Sequence, residues 1–335
     1  MAGRPRSLVA ALTLCCGALA HAALPGPPPP EAGTFVDFPL EEVIDLDHPL
    51  LDELSGLVAA SPHQPGFWAH NDSGADARLF ALDADLALAV PPWLTDRYAA
   101  GASLLRAPWP GIEVAGATLV DWEDIARIGD TLYLADVGNN GNARRDLGFW
   151  ELAEPALAAV ETQRPRRFLP IHYPEQRAFP GELWEWDCEA VFADGEALYL
   201  VTKHRRPGEI DGFEPGARLY RFEPRSAPSE RSTPLTYVSR QDDVLLATAA
   251  DLSPDGEVLA LLTYSAVWFF RRPAAGDDWF GEPPVIRPLS LLQTRQAEAV
   301  VWRDDGRLLI ANEAGSLFEM AVDRAALQAG FSDRP

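Results

Sequence analysis

Acidic residues recur at the head of short apolar runs in this chain, and they are the residues whose type and spacing could do chemistry. Asp121-Trp122-Glu123-Asp124-Ile125 has counterparts in Glu189-Ala190-Val191, Glu298-Ala299-Val300, Ala250-Asp251-Leu252 and Ser55-Gly56-Leu57. If these runs converge, Glu123, Glu189 and Glu298 lie at one level, with Asp121 and Asp187 two residues earlier. At about 6 Å and an effective dielectric of about 20, each glutamate pair would repel by about 3 kcal/mol. Either protons or a cation must answer that repulsion. Calcium suits the second role, because it accepts six to eight oxygens in loose geometry. The expected metal set is therefore Glu123, Glu189, Glu298, Asp121 and Asp187, with Ca2+ as the cofactor. The competing reading is that these acids cap strand starts and bind water.

A second column of polar residues should face the same opening. It supplies the ligand-binding candidates His70, Asn71, Asp72, Asp136, Lys203, Tyr264 and Glu313. His70 alone does not make a zinc site, which wants compact His/Cys clusters. The Asp136 to Asn142 loop is rich in oxygen but lacks the spacing of an EF-hand. Lys203-His204-Arg205-Arg206 reads either as an anion-capturing group or as a solvated basic turn that balances its acidic neighbours. No Gly-x-Ser-x-Gly elbow and no Ser/His/Asp spacing stands out, so no catalytic residue is assigned.

The elements that must position these residues repeat every 50 to 70 residues or so, and repetition at that scale determines architecture. Each unit opens on one of the motifs above and contains three to four short β-rich runs. Asp-Gly turns at 194–195, 255–256 and 305–306 are tight-hairpin signals between the first and second runs. The last unit lacks a fourth strand, and the alternating segment Glu41 to Asp47 fits that vacancy. An all-β propeller of four-stranded antiparallel blades, closed by an N-terminal strand, follows. Five blades are expected, with a sixth in the 87–120 stretch as the alternative. Insertions at 90–110 and 174–186 interrupt the pattern, and Trp184 and Trp186 in the second would cover the mouth. A short helix is expected over 324–330, and no helical period between strands supports an α/β fold.

Residues 1–22 have the charged start, apolar segment and Ala-x-Ala site of an export signal. The apolar run is shorter than the roughly 20 residues a membrane span needs. Residues 23–40 read as a proline-rich tether, and 41–335 as one propeller domain. Loss of Arg4 and Arg6 with the signal takes the formal charge from −22 to −24. Such acidity repels nucleic acid and anionic membranes. Cys15 and Cys16 leave as well, so Cys188 has no partner for an intrachain disulfide. A periplasmic or secreted monomer is expected, with a small molecule or protein as partner and no integral membrane segment after cleavage.

Glu53-Leu54-Ser55-Gly56-Leu57, Asp121-Trp122-Glu123-Asp124-Ile125, Glu189-Ala190-Val191 and Glu298-Ala299-Val300 resemble the blade-opening motifs of the SdiA-regulated propeller family. More distantly they are similar to the esterase-like and β-propeller phytase group. The resemblance implies an exported propeller with calcium on its acidic face, and it implies no established reaction. Three functional readings stand, the first two being a calcium-binding module that holds a ligand or protein at an acidic mouth and a metal-dependent hydrolase of esters or phosphoesters. In the second, Lys203 would bind the anion and His70 or Asp72 would act as base. An envelope interaction scaffold is the third.

Overall fold

The structure, a computed structural model, describes residues 33–74 and 76–332. Five antiparallel sheets each begin with an inner strand: Leu54–Ala59, Trp122–Ile128, Trp184–Asp194, Ala247–Leu252 and Ala297–Trp302. Each inner strand packs against the next, and the fifth returns to the first. That closure makes a five-bladed β-propeller, and the 87–120 stretch forms no sixth blade. It holds only short pieces, among them Tyr98–Ala99 paired in parallel with Ala107–Pro108.

Within each blade the three innermost strands run outward in chain order. The turns behind the inner strands carry Gly129, Gly195, Gly256 and Gly306 at φ of 59–81°. A side chain would be strained in that left-handed region, so the Asp-Gly signals have a backbone cause. Leu40–Asp45 pairs antiparallel with Ser316–Met320 and supplies the outer strand of the fifth blade, as expected. An N-terminal and a C-terminal segment thus share one sheet.

Blades bury both faces against their neighbours, so their strands read as nearly continuous apolar runs instead of alternating ones. Val258–Thr263 and Ala297–Trp302 are buried at every position. The C-terminal helix Arg324–Ser332 seals the fourth and fifth blades with Leu327 and Phe331.

Three expectations change. The tether ends earlier than residue 40, because Thr34–Phe35 adds in parallel to Val285–Ile286 at the edge of the fourth blade. Trp184 and Trp186 do not cover the mouth. They begin the long inner strand of the third blade, where Trp186 packs in the core between blades two and three. The segment 233–234 leaves its own blade and pairs with Ile171–His172 of the second. The export signal over 1–22 lies outside the described residues, as does the tether to residue 32. No helix among the described residues is long and apolar enough to cross a membrane.

Candidate functional site

Every inner strand carries a β-bulge at the same level. The pairing skips one residue in each blade: Ser55, Glu123, Glu189, Thr248 and Glu298. A bulge bends its strand and re-aims one side chain, and here it forms a ring of five buried polar residues. The fourth member corrects the sequence alignment by two residues. Thr248 takes the place expected for Ala250, because pairing with Val258–Thr263 sets the register. Asp251 lies farther down, where it accepts hydrogen bonds from its neighbour Leu252 N and from Trp302 N of the fifth blade.

Two ring members have hydroxyls, and both tie adjacent blades together. Ser55 Oγ donates to Glu123 O at 2.5 Å, and Thr248 Oγ1 donates to Ala297 O at 2.8 Å. The three glutamates remain, and the structure treats each differently. Lys203, from the second strand of the same blade, forms a buried ion pair with Glu189. Tyr264, from the fourth blade, donates to Glu298. Glu123 is 5% exposed, and among the described residues its carboxylate has neither a hydrogen bond nor an ion pair.

Instead Glu123 faces other acids. One ligand atom each from Asp72, Asp121 and Glu123 lies within 4.8 Å of the others. Burial raises all three pKa values, and neighbouring carboxylates add to it (Glu53 and Glu313 at Asp72, Asp72 and Asp187 at Asp121, Glu189 and Asp72 at Glu123): Asp72 to about 6, Asp121 to about 6, and Glu123 well above its ordinary value. Burial also raises Glu298 to about 7, against the pull of Lys203 and Tyr264. Lys203 loses hydration by burial, yet Glu189 and Asp187 hold it protonated and raise its pKa. Its charge acts on Asp72, Glu123, Glu189, Glu298 and Glu313, so these groups form one electrostatic unit.

Backbone shapes the space beside Glu123. A methyl group on Gly138 would overlap Glu123 Oε1 and crowd the Asp121 carboxylate. The loop containing Gly138 is fastened from outside: Arg144 donates to Gly138 O at 2.8 Å and pairs with Asp136 at 2.8 Å. Asn140 Nδ2 reaches Asp121 Oδ2 at 3.1 Å. Below the glutamates, buried Asp124 accepts from Ile125 N and Val191 N, both at 2.8 Å, and from Ala250 N at 3.5 Å. It closes the channel floor and stitches three inner strands. Spacing alone could not show this role, because the partners lie 67 and 126 residues away.

Of the residues expected at the mouth, Asp72, Asp121, Glu123, Glu189, Lys203, Tyr264, Glu298 and Glu313 share this well. Others do not. Asp187 is fully buried, with one oxygen accepting from Asn139 N at 2.7 Å and the other paired with Arg205 at 2.6 Å. Asp136 is held by Arg144, and it also accepts from Asp121 N at 3.3 Å. His70 is wholly buried, lying over Gly56 and edge-on to Trp122. Burial lowers its pKa to about 4, so it stays neutral between the blades and is withdrawn as a base candidate. Asn71 lines a neighbouring cavity. Lys203 is not the solvated turn residue that its Lys-His-Arg-Arg context suggested, since its strand continues to Arg205 with every residue buried. Sequence reading missed Thr248, Asp124 and Gly138.

The ring of bulged, four- to five-stranded blades places the chain among the β-propellers. No family profile and no curated protein matches the sequence. Solved structures similar to it include a gluconolactonase from Xanthomonas campestris, 12% identical, covering 85% of this chain and 89% of that one at a TM-score of 0.41. A structure described as glucose dehydrogenase is 13% identical and covers 85% and 100% at 0.41. The luciferin-regenerating enzyme is 9% identical and covers 82% and 73% at 0.42.

Proposed function

We propose that this propeller binds a divalent cation, calcium in the first instance, in its axial well, and holds a small ligand or protein at the mouth above it. Asp72, Asp121 and Glu123 would hold the ion. The observation that carries the reading is Glu123: a buried carboxylate with no hydrogen bond or ion pair among the described residues, turned toward two further carboxylates within 4.8 Å. A buried charge without a direct partner is costly, and a cation of loose, oxygen-rich coordination lowers that cost. Glu189 and Asp187 are left out of this set, because Lys203 and Arg205 already neutralise them. The expected export signal and the resemblance to SdiA-regulated propellers support placement outside the cytoplasm. The test is metal analysis of protein purified without chelator, followed by calcium titration of its melting temperature. About one calcium per chain and a rising melting temperature are expected. Metal-free protein that ignores calcium, magnesium and manganese would refute the proposal.

A second reading, a metal-dependent hydrolase of esters or phosphoesters, is favoured by two features of the same well. Asp72 and Asp121 titrate at about 6, near the range a general base needs. Lys203 supplies a fixed positive charge beside them, suited to a developing anion. Turnover of p-nitrophenyl esters or phosphates that disappears in Glu123→Gln, with folding intact, would select this reading over a purely binding role.

A further inference from the structure

We propose that Asn140 is a positioning residue of the axial cation site, its side-chain amide anchoring Asp121 to the third blade. The inference rests on the cation reading above and concerns a residue outside its ligand set. Asn140 lies half-buried in the loop after the second strand of the second blade. Its Nδ2 donates to Asp121 Oδ2 at 3.1 Å, and its Oδ1 accepts from Arg205. One neighbour is a guanidinium, which only donates; the other is a carboxylate, which only accepts when ionised. A group placed between them must accept on one side and donate on the other. An amide does so with two atoms, whereas a carboxylate in its place would have no proton to offer Asp121.

The anchor behind the amide is rigid. The Arg205 side chain is 4% exposed, and its Nε meets Asp187 Oδ2 at 2.6 Å. The other Asp187 oxygen accepts from Asn139 N at 2.7 Å, and Asn139 Nδ2 donates to Trp186 O at 2.9 Å. Asp187, Arg205 and Asn140 thus form a line of contacts that ends on Asp121, and the loop backbone is tied down one residue before Asn140. Asp121 needs such a hold. Asp72 and Asp187 each repel its carboxylate more strongly than Arg144 attracts it, so a free side chain would rotate away from its like-charged neighbours whenever the ion is absent. Gly138 closes one side, since a methyl carbon there would lie 2.6 Å from Asp121 Cγ. Asn140 supplies the attractive contact. A ligand held in this way loses less freedom when the ion binds. Asp187, although paired and outside the ligand set, serves the site through Arg205 and Asn140.

The test is a double-variant cycle read by calcium affinity, with Asp121→Asn as the second change. Asn140→Ala should weaken calcium binding by about tenfold, as removal of a partner behind a metal ligand does, while the melting temperature in EDTA changes little. In the Asp121→Asn background the same change should cost nothing further. Terbium bound in place of calcium gives a second readout. Its luminescence lifetimes in H2O and D2O count coordinated water, and Asn140→Ala should add about one water where Asp121 has left the ion. If Asp121→Asn binds calcium too weakly to measure, the water count decides. Should Asn140→Ala fail to fold, Asn140→Ser carries the same measurements. Undiminished calcium affinity in the variant, a loss that persists in full in Asp121→Asn, or an unchanged water count would overturn the inference and leave the cation reading standing. So would a melting temperature lowered equally with and without calcium, which would assign Asn140 to the fold alone. Wild-type protein that binds neither calcium nor terbium would overturn both.

Discussion

Replacing Glu123 with glutamine should make the cation-free protein more stable, although it alters a residue 5% exposed at the heart of the molecule. With the three carboxylates within 4.8 Å, each charged pair repels by about 3 kcal/mol at an effective dielectric of about 20. Partial protonation relieves some of this in the wild type, so the net gain should be on the order of 3 kcal/mol. Glutamine preserves the shape and loses no hydrogen bond, since the Glu123 carboxylate makes none among the described residues. For a domain of this size that corresponds to roughly 5 °C in melting temperature. Calcium should act in the opposite direction. In the wild type it should restore stability by mass action, by about 2.7 kcal/mol at a hundredfold excess over Kd; in Glu123→Gln the increment should nearly vanish. The assay is thermal unfolding of both proteins in EDTA and across a calcium series. A variant less stable than wild type in EDTA would mean that Glu123 serves the fold as an acceptor. An undiminished calcium response would mean that the ion sits elsewhere. Either result refutes the reasoning.

The pH dependence has a definite sign. Asp72 and Asp121 titrate at about 6 in the fold, against an ordinary 3.8, so between about pH 4 and 6 the folded chain holds more protons than the unfolded one. Their contribution is present below about pH 4 and lost as pH rises to 6, by up to about 3 kcal/mol for each group. The melting-temperature difference between calcium-loaded and EDTA-treated protein should accordingly be small at pH 4.5 and full above pH 7; a difference independent of pH would contradict it. Lys203→Met should destabilise by about 3–5 kcal/mol in urea, because it strands Glu189 as a buried charge. Adding Glu189→Gln should recover much of that loss, and a single variant as stable as wild type would show that the pair contributes nothing.

Much of the architecture was legible because propeller strands are local objects. Asp-Gly turns lie where a glycine must take positive φ, and Glu41 to Asp47 filled a vacancy visible from the strand count alone. Errors arose where strand register, and not the local residue pattern, decides which side chain faces the axis. Ala247-Thr248-Ala249-Ala250-Asp251 offers two polar residues that could face the axis, and only pairing with the next strand selects Thr248. Lys203, a ligand-binding candidate, stands in a run of four cationic or titratable residues whose local pattern equally fits a solvated turn. Its burial follows from the unusually long first hairpin of the third blade, Trp184–Asp194 with Ala197–Arg205.

The charge pattern of the well depends on a second ring of residues. One residue beyond the second-strand partner of the residue that precedes each bulge, the blades contribute Asp72, Val137, Lys203, Tyr264 and Glu313 in turn. Lys203 answers Glu189 of its own blade, and Tyr264 answers Glu298 of the next. Glu123 finds apolar, fully buried Val137 on its own blade and acidic Asp72 on the preceding one. Pseudo-symmetric bulges bring the glutamates to one level. The irregular second ring then satisfies two of them and leaves one exposed to its like-charged neighbours. An ideal repeat could not create that inequality, so the most irregular stretch of the ring, between the first and second blades, is where a bound cation would lower the free energy most.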